Sequence, residues 1–314
     1  MIATVTLNPS LDEWITLPAL RVGALNRASG FARYPGGKGI NVSRVVHELG
    51  SPTVAFALAG GSDGQTLHTL LQELGIRHSF VSVNGTTRNN YKIRTTRPRA
   101  LTEVNTAGPL VSAHALRVLQ QRVIEHSPAP RCVVLSGSLP PRTPSSIYQR
   151  WIGTLTRRGT PTVLDASGAA LRFGLRARPW LIKPNRQEAE ELLGHSLRTY
   201  QACIHAVKQL VEGGPAFVIL SLGADGALLA RADDPSRVWH GRAPKIRVNS
   251  TVGAGDSLVG GFVTGWVRRW KWDEMFRLGI ACGTATAMTP GTELCHQRDV
   301  QRIFARVTIR RVSS

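Results

Sequence analysis

The chain has 314 residues, of which 42% are hydrophobic and 19% are charged, a balance that is typical of a globular protein and excludes general disorder. No apolar run approaches the ~20 residues that a membrane-spanning helix needs, and residues 1–8 lack a basic leader and are typical of a strand rather than a signal peptide. The four cysteines, Cys132, Cys203, Cys282 and Cys295, are far apart and form no C-x-x-C pair, which favours free thiols in a reducing cytoplasm.

Charge is the one unusual bulk property, because 39 Lys and Arg against 20 Asp and Glu leave a formal net charge of +19. An excess of this size is compatible with nucleic-acid binding. The arginines are nevertheless spread along the chain, with only short clusters such as Arg310-Arg311 and no interleaved aromatic residues. The same field would attract anionic metabolites such as ATP and sugar phosphates, and a general arginine bias without function is also compatible with it.

Strand-length apolar runs alternate with amphipathic stretches of helical length along most of the chain. This alternation predicts an α/β fold with a mostly parallel central sheet that helices cover on both faces. Ligands in such folds bind beyond the carboxyl ends of the strands, so the loops there are candidate sites. The predicted strands are residues 3–7, 53–59, 132–136, 162–165, 181–183 and 217–221, and predicted helices include residues 40–49, 65–74, 144–157 and 187–193.

Two stretches, at about residues 13–35 and 86–107, break this alternation. Both lack a helical period and carry strand-like patterns such as Asn90-Tyr-Lys-Ile-Arg94, which predict short antiparallel strands inserted between α/β units. They either form one small sheet that covers a site or pairs with another subunit, or they remain two surface hairpins. Because the chain has no internal repeat or linker, we expect a single domain over residues 1–314.

The segment of residues 249–262 combines small residues with the start of a long apolar helix, predicted from residue 258 to 267. Gly253, Ala254 and Gly255 allow a tight turn that exposes backbone amides, and a helix N-terminus of this kind favours an anion. Asp256 lies in the first turn, where an acidic residue is also an ordinary cap. Beside an anion site the same carboxylate can accept the proton of an attacking hydroxyl, because phosphoryl transfer depends on positioning and charge stabilisation.

Two further loops carry weaker patterns for phosphate binding. Residues 35–41, Pro-Gly-Gly-Lys-Gly-Ile-Asn, lack the Walker A spacing, and a tight turn alone would explain them. Asn185 and Glu188 have the spacing of a helix capping box, which would also be sufficient by itself. The functional interpretation places Glu188 near a hydrated Mg²⁺ and Lys183 and Asn185 near nucleotide phosphates, since Mg²⁺ takes few protein ligands.

In this order the motifs resemble the ribokinase-like (PfkB) carbohydrate kinases, in the branch of 1-phosphofructokinases, tagatose-6-phosphate kinases and minor 6-phosphofructokinases. The resemblance extends from Thr4 to Cys295 and rests on residues 36–44, 183–188 and 251–256. It implies a three-layer α/β/α fold with a small β lid in the two irregular insertions. It also implies transfer of the γ-phosphoryl group of ATP, with Mg²⁺, to a hydroxyl of fructose 1-phosphate or fructose 6-phosphate. A homodimer through the lid is implied, and no membrane partner.

The resemblance implies a role for each matching position. Asp256 is expected to be the catalytic base, beside an anion hole formed by Gly253, Ala254 and Gly255. The expected sugar site comprises Asp12, Gly37, Lys38 and Asn41, with Arg88 and Ser138 near the phosphate that the substrate already carries. The expected ATP side comprises Lys183, Asn185, Ser221, Gly223, Thr251 and Gly283, with Glu188 binding Mg²⁺ through water.

The acceptor sugar stays open. The Gly-Gly-Lys-Gly loop with residues 102–108 is similar to fructose-1-phosphate and tagatose-6-phosphate kinases, whereas residues 291–295 are more similar to minor 6-phosphofructokinases. Arg142 departs from the family pattern, which commonly has glycine after the Pro-Pro pair. A kinase of an unphosphorylated sugar or nucleoside is the alternative in the same fold, but it would not need the two cations Lys38 and Arg88. A nucleic-acid-binding protein on a kinase fold is the alternative from another class.

Overall fold

The computed structural model describes residues 1–312, which form fourteen strands, ten α-helices and one short 3-10 helix, Gly223–Asp225. The strands are β1 (Ile2–Thr6), β2 (Ser10–Leu17), β3 (Gly30–Gly36), β4 (Thr53–Ala59), β5 (His78–Ser82), β6 (Arg88–Thr96), β7 (Arg99–Asn105), β8 (Cys132–Ser136), β9 (Thr162–Asp165), β10 (Leu181–Ile182), β11 (Phe217–Ser221), β12 (Ala227–Arg231), β13 (Asp234–Arg242) and β14 (Thr308–Val312). The helices are α1 (Lys38–Glu48), α2 (Gly61–Glu73), α3 (Ala113–Ile124), α4 (Ile147–Arg157), α5 (Gly168–Leu175), α6 (Arg186–Leu193), α7 (Tyr200–Glu212), α8 (Ala254–Val267), α9 (Trp272–Met288) and α10 (Gln297–Phe304).

The main sheet has ten strands in the order β14-β13-β12-β11-β10-β9-β8-β1-β4-β5. The seven strands from β11 to β5 are parallel, and β12, β13 and β14 extend one edge in antiparallel pairing. Alternate residues of a central strand enter two different cores. In β8, Val133 and Leu135 belong to one core, and Cys132 and Val134 belong to the other. The predicted parallel sheet with helices on both faces is therefore confirmed.

The two irregular insertions combine into one four-stranded sheet, hereafter the small sheet, in the order β3-β2-β6-β7. This excludes the alternative of two separate hairpins. The expectation of antiparallel strands is correct for β2–β3 and β6–β7 but wrong for β2–β6, which is parallel. The reason is directional: β2 follows β1 and β6 follows β5 after short loops, so both strands continue the direction of the parallel main sheet.

Four of the six predicted strands have the predicted bounds, and the helix ends differ more. The helix expected from residue 144 begins at Ile147, because the Ile147 amide donates to the Pro144 carbonyl in a preceding turn. The helix expected from residue 258 begins four residues earlier, at Ala254, so the small residues form its first turn. Within residues 1–312 no helix combines the length and hydrophobicity needed to cross a bilayer. All four cysteines are unpaired, as predicted, and the structure places each of them in the interior.

Candidate active site

Asp256 lies in the first turn of α8, which begins at Ala254 directly after Gly253. Gly253 has a φ of 79°, a conformation that L side chains rarely adopt, and a Cβ there would lie 2.5 Å from the side chain of Leu294. The Asp256 residue is only 7% exposed, and Asn41 Nδ2 donates a 2.8 Å hydrogen bond to Asp256 Oδ2. The structure thus places a nearly buried carboxylate beside backbone amides at a helix N-terminus.

The pKa of Asp256 is raised from an ordinary value of 3.8 to about 6. Burial is the largest cause, and the negative charge of Asp165 acts in the same direction. Lys38, the hydrogen bond from Asn41 and Lys183 oppose the rise because each favours the ionised carboxylate. A carboxylate with this pKa is a better proton acceptor than an exposed aspartate and is still ionised at neutral pH.

Two lysines converge on a single buried carboxylate at the centre of the site. Lys38 Nζ lies 2.9 Å from Asp165 Oδ1, and Lys183 Nζ lies 3.5 Å from the same oxygen. Lys38 Nζ also lies 3.5 Å from Glu188 Oε1. Burial alone would lower the pKa of Lys38, but the carboxylates of Asp165, Glu188 and Asp256 raise it instead. The surrounding carboxylates therefore keep Lys38 charged beside Asp256.

Asp165 was not among the residues that the motifs single out. Its side chain is fully buried at the carboxyl end of β9. Although burial would raise its pKa, the ammonium groups of Lys183 and Lys38 hold the pKa of Asp165 below its ordinary value. Its position at the end of a parallel strand, before the small residues Ala166-Ser-Gly168, is the pattern that would have identified it.

The expected ATP side is built at the start of α6 and on neighbouring loops. The capping box is present: Asn185 Oδ1 accepts from the Glu188 amide and Glu188 Oε2 accepts from the Asn185 amide, both at 2.8 Å. Ser221 pairs with Asn185 in an isolated bridge, which brings the end of β11 to this helix. Lys183 Nζ lies 3.2 Å from the position that a Cβ would take on Gly255, so Lys183 adjoins the predicted anion hole.

Three remaining candidates on this side lie around the same elements. Gly223 begins the 3-10 helix after β11 with a φ of 62°. Thr251 precedes α8, and its carbonyl accepts from the Ala254 amide at 3.2 Å. A Cβ on Gly283 would lie 2.9 Å from the Ala254 carbonyl oxygen, so this glycine allows α9 to pack closely against the start of α8. Their contacts with a nucleotide stay predictions.

The expected sugar side lies where the small sheet meets α1 and the loop after β8. Gly37 is the N-cap of α1, with a φ of 108°. Asp12 Oδ1 accepts hydrogen bonds from Ser10 Oγ and from Asn90 Nδ2, both at 3.1 Å. The structure therefore links Asp12 of β2 to β6 through Asn90, a residue that the motifs did not single out.

Arg88 and Ser138 lie close together through Asn8, a residue at the end of β1 that was also not predicted. Arg88 Nε donates to the Asn8 carbonyl at 3.2 Å, and Asn8 Nδ2 donates to Ser138 Oγ at 3.4 Å. Burial lowers the pKa of Arg88, partly offset by the charge of Asp12. The pairing of a guanidinium with a hydroxyl next to Asp12 is suitable for a phosphate on the sugar.

The residues present fit a hydrated Mg²⁺ rather than a directly coordinated metal. Within residues 1–312 no group of three or more His, Cys, Asp or Glu side chains is arranged to hold a metal ion. Asp165 Oδ2 is buried and has no hydrogen-bond partner among the described residues, and Glu188 Oε1 faces the same cluster. Two carboxylate oxygens are hard ligands that suit Mg²⁺ bound through several waters.

Arg142 keeps the backbone shape that the expected glycine would have. Its φ is 61°, in the left-handed region that glycine adopts most readily. The loop after β8 therefore has, at this position, a backbone conformation that glycine adopts without strain, and Arg142 adopts it at a cost of roughly 1 kcal/mol.

Comparisons with known proteins show which family the chain is similar to. Residues 5–299 match the family model described as pfkB family carbohydrate kinase. The chain is 36% identical to a 1-phosphofructokinase of Bacillus subtilis, over 99% of this chain and 100% of that protein. It is 35% identical to an ATP-dependent 6-phosphofructokinase isozyme 2 of Mycobacterium tuberculosis, over 96% of this chain and 88% of that protein. The crystal structure of phosphofructokinase-2 from Escherichia coli in complex with substrates and products superposes on this chain with a TM-score of 0.91. The two sequences are 32% identical, and the match covers 97% of this chain and 98% of that one.

Proposed function

The chain belongs to the pfkB family of carbohydrate kinases, and we propose that its acceptor is fructose 1-phosphate. Relatives that match almost the whole chain are named 1-phosphofructokinase or 6-phosphofructokinase, and this chain is an ATP-dependent fructose-phosphate kinase. The position of the existing phosphate is the finer part of the proposal. It is supported by the B. subtilis relative, which matches over 99% of this chain and its own entire length, and by Lys38 in the Gly-Gly-Lys-Gly loop.

One observation carries the chemistry: the nearly buried Asp256 is held by Asn41 at the N-terminus of α8, beside two lysines that share Asp165. A base, an anion hole and fixed cations within one site are the parts that phosphoryl transfer needs. A protein that had kept only the fold would not need a carboxylate with a raised pKa at this position.

In the proposed reaction a hydroxyl of the sugar phosphate attacks the γ-phosphorus of ATP. The new bond joins that phosphorus to the sugar oxygen, the bond to the β-phosphate oxygen breaks, and ADP leaves. Asp256 accepts the proton of the attacking hydroxyl. The amides of Gly253, Ala254 and Gly255 and the ammonium of Lys183 stabilise the charge on the moving phosphoryl group.

Glu188 and Asp165 would hold Mg²⁺ through its water shell. When bound, the ion supplies positive charge that neutralises the phosphate oxygens. Asn185 fixes the Glu188 side chain from the other end of the capping box, so the carboxylate is already oriented before the nucleotide binds. Lys38 and Lys183, anchored on Asp165, then face the nucleotide and the sugar from one rigid cluster.

The phosphate that the sugar carries is proposed to bind at Arg88 and Ser138, which Asn8 brings together. Asp12 and Asn90 lie on the small sheet. Asp12 would accept a hydrogen bond from a sugar hydroxyl, and Asn90 would donate one to another hydroxyl. Fructose 6-phosphate is the second candidate acceptor. The specific observation in its favour is the segment of residues 291–295, which packs against Gly253 and resembles the minor 6-phosphofructokinases.

The acceptor is tested by measuring ATP-dependent phosphorylation of fructose 1-phosphate, fructose 6-phosphate, tagatose 6-phosphate and free fructose, with and without Mg²⁺. We expect kcat/KM for fructose 1-phosphate to exceed that for each other sugar by roughly tenfold or more. A higher value for fructose 6-phosphate would reassign the acceptor. Equal rates on free fructose would contradict the phosphate-binding roles of Arg88 and Ser138.

The same assay tests the base. Asp256→Asn keeps the size of the side chain but removes its basicity, so turnover should fall at least ~100-fold. The KM for ATP should change little, because Asp256 faces the acceptor hydroxyl. A variant as fast as the wild type would contradict the role of Asp256 without affecting the choice of acceptor.

We also propose a homodimer through the small sheet, in a cytoplasmic protein with a single domain. The dimer is supported by apolar side chains on one face of that sheet, among them Phe31 and Val104, which are 59% and 50% exposed. The cytoplasmic location is supported by four buried cysteines without disulfides. The single domain is supported by the strands of the small sheet, which continue directly from β1 and β5 of the main sheet.

A further inference from the structure

Arg44 on α1 is a buried cation that the proposed reaction does not use. The residue is 9% exposed, and its guanidinium donates to four oxygens. These are the Thr292 carbonyl at 2.7 Å, the Pro35 carbonyl at 3.2 Å, the Glu293 carbonyl at 3.3 Å and Asn41 Oδ1 at 3.3 Å. Among residues 1–312 no carboxylate oxygen lies within 4 Å of it.

Burying a guanidinium without an ion-pair partner is costly, even when carbonyl groups satisfy its donors. Burial lowers the pKa of Arg44 to about 10, and the more distant carboxylate of Asp12 offsets this only in part. If the contact only held these segments together, a neutral side chain would do so at a lower free-energy cost of burial. The charge therefore needs an explanation in terms of what it contacts.

The contact with Asn41 determines which way the Asn41 amide points. A guanidinium can only donate hydrogen bonds, so Arg44 must meet the carbonyl end of that amide. The amino end then points to Asp256 Oδ2, where it donates at 2.8 Å. A donor at this oxygen favours the ionised, proton-accepting form of Asp256 against the effect of burial, and it leaves Oδ1 for a substrate hydroxyl.

The other side of Arg44 is held by the segment that also supports the anion hole. Thr292 is fully buried, and its hydroxyl accepts from Trp14 Nε1 of the small sheet at 3.1 Å. Leu294, two residues on, packs on Gly253 and has a φ of 67°. A non-glycine residue in this conformation is rare and persists only where its surroundings hold it firmly.

We propose that Arg44 is a positioning residue that orients Asn41 and, through it, Asp256, and that residues 292–294 couple this contact to the anion hole and to the small sheet. The inference rests on the proposed role of Asp256 as the base. In this inference the task of residues 290–295 is to hold Arg44 and Gly253.

The test compares Arg44→Met with Arg277→Met, both folded as judged by thermal unfolding. Arg277 is a matched control, since its half-buried guanidinium also donates to a backbone carbonyl of another segment, that of Val307, away from Asp256. Arg44→Met should lower kcat by roughly 10- to 100-fold, the effect of losing a partner that orients a catalytic group. Its KM for ATP and the kcat of Arg277→Met should stay within about threefold of the wild type.

The kcat of the double variant separates an effect through Asn41 from a merely structural role of Arg44. If Arg44 acts through Asn41, Arg44→Met should add less than about threefold to the loss already caused by Asn41→Ala, because the two side chains form one unit. Additive losses would overturn the proposal. If Arg44→Met does not fold, Arg44→Lys takes its place, since an ammonium keeps the charge but cannot reach Asn41 and Thr292 with one planar fork.

A titration that needs no turnover separates this inference from the proposed function. The Asp256 carboxyl carbon is followed by ¹³C NMR and assigned by its loss in Asp256→Asn. Arg44→Met should raise the pKa of Asp256 by roughly one pH unit, because the ionised form loses a positive charge and a fixed donor. The other charges facing Asp256, those of Asp165, Lys38 and Lys183, are unchanged. An unchanged pKa would overturn the inference, whereas a wild type inactive on every sugar would overturn only the proposed function.

Discussion

Asp165 carries two opposite effects in the site, although it contacts no expected substrate atom. Its negative charge anchors Lys38 and Lys183 and at the same time raises the pKa of Asp256. Both effects come from one fully buried carboxylate, where charges interact strongly. Removing that charge should therefore change the pH dependence of the reaction in a direction that can be worked out.

Asp165→Asn should move the acid limb of the pH profile to lower pH. The base must be ionised, so kcat/KM of the wild type should rise with pH through about 6, the pKa of Asp256, and level off above it. Without the charge of Asp165 the ionised form of Asp256 is less repelled, so its pKa decreases. The acid limb should then shift to lower pH by roughly one unit. The plateau should also fall, because Lys38 and Lys183 lose their anchor.

The measurement is log kcat/KM against pH for the wild type, Asp165→Asn and Asp299→Asn. Asp299 is the control carboxylate, since its partner is Arg302 on α10 and not a residue of the site. Its substitution should leave the limb in place. A limb that stays at the wild-type pH in Asp165→Asn, or moves upward, would contradict the assigned electrostatic coupling.

At the scale of single residues, the sequence predicts the local parts of the site better than its long-range contacts. Gly253 and Asp256 are neighbours in the chain, so their spacing alone indicates an amide-rich turn followed by a carboxylate. The hydrogen bond from Asn41 to Asp256 spans 215 residues, and the Arg44 contact with Thr292 spans 248. Such contacts depend on how the elements pack, which no local pattern specifies.

The start of α6 is an element in which a structural and a functional role fall on the same residues. Asn185 and Glu188 close a capping box, and the same pair is proposed to serve the nucleotide and Mg²⁺. The two roles respond differently to substitution, because the cap needs an oxygen acceptor at residue 188 and Mg²⁺ needs a negative charge there.

Glu188→Gln should separate the two roles. The glutamine carbonyl can still accept from the Asn185 amide, so the free energy of unfolding should change by less than about 1 kcal/mol. The charge is lost, so the Mg²⁺ concentration for half-maximal activity should rise by roughly tenfold or more. The measurements are a Mg²⁺ titration of the kinase rate and urea unfolding.

Asn185→Ala and Thr199→Ala measure how much a helix cap contributes to the stability of this protein. Thr199 caps α7 by accepting from the Ala202 amide at 3.1 Å, away from the site. Each substitution should cost about 1 kcal/mol of stability, and only Asn185→Ala should also affect the kinase rate. A Glu188→Gln variant that loses stability but keeps its Mg²⁺ dependence would leave Glu188 with the capping role alone.

Elements of the parallel sheet were predictable where a strand is buried on both faces, because a continuous, mostly apolar run of 7 residues such as β4 has the length of a strand and is too short for a typical buried helix. The edge strands were harder. β7 is exposed along its whole length, and β13 and β14 have few buried residues, so none gives a clear apolar run. The start of α8 was missed because glycine and alanine in a first turn have no hydrophobic period.

Over the whole molecule the small sheet has two different faces. Residues that pair across its strands share a face, and one face carries Asp12, Asn90 and Trp14, which are buried toward the site and the segment of residues 290–295. The opposite face carries Phe31, Ile15 and Ile93, which pair with one another across β3, β2 and β6. Val104 of β7 lies on this opposite face as well. An apolar face on a four-stranded sheet is a favourable surface for a second copy of the chain.

Phe31→Glu should convert the proposed dimer into a monomer. Phe31 is 59% exposed, so a glutamate there should not disturb the fold of one chain, but a symmetric interface would then have to bury two added carboxylates. Sedimentation velocity over a range of protein concentrations gives the mass directly. Leu74→Glu, which replaces a 44% exposed side chain at the end of α2, is the control and should sediment like the wild type. A wild type that is monomeric, or a Phe31→Glu variant with unchanged mass, would mean that this face is not the interface.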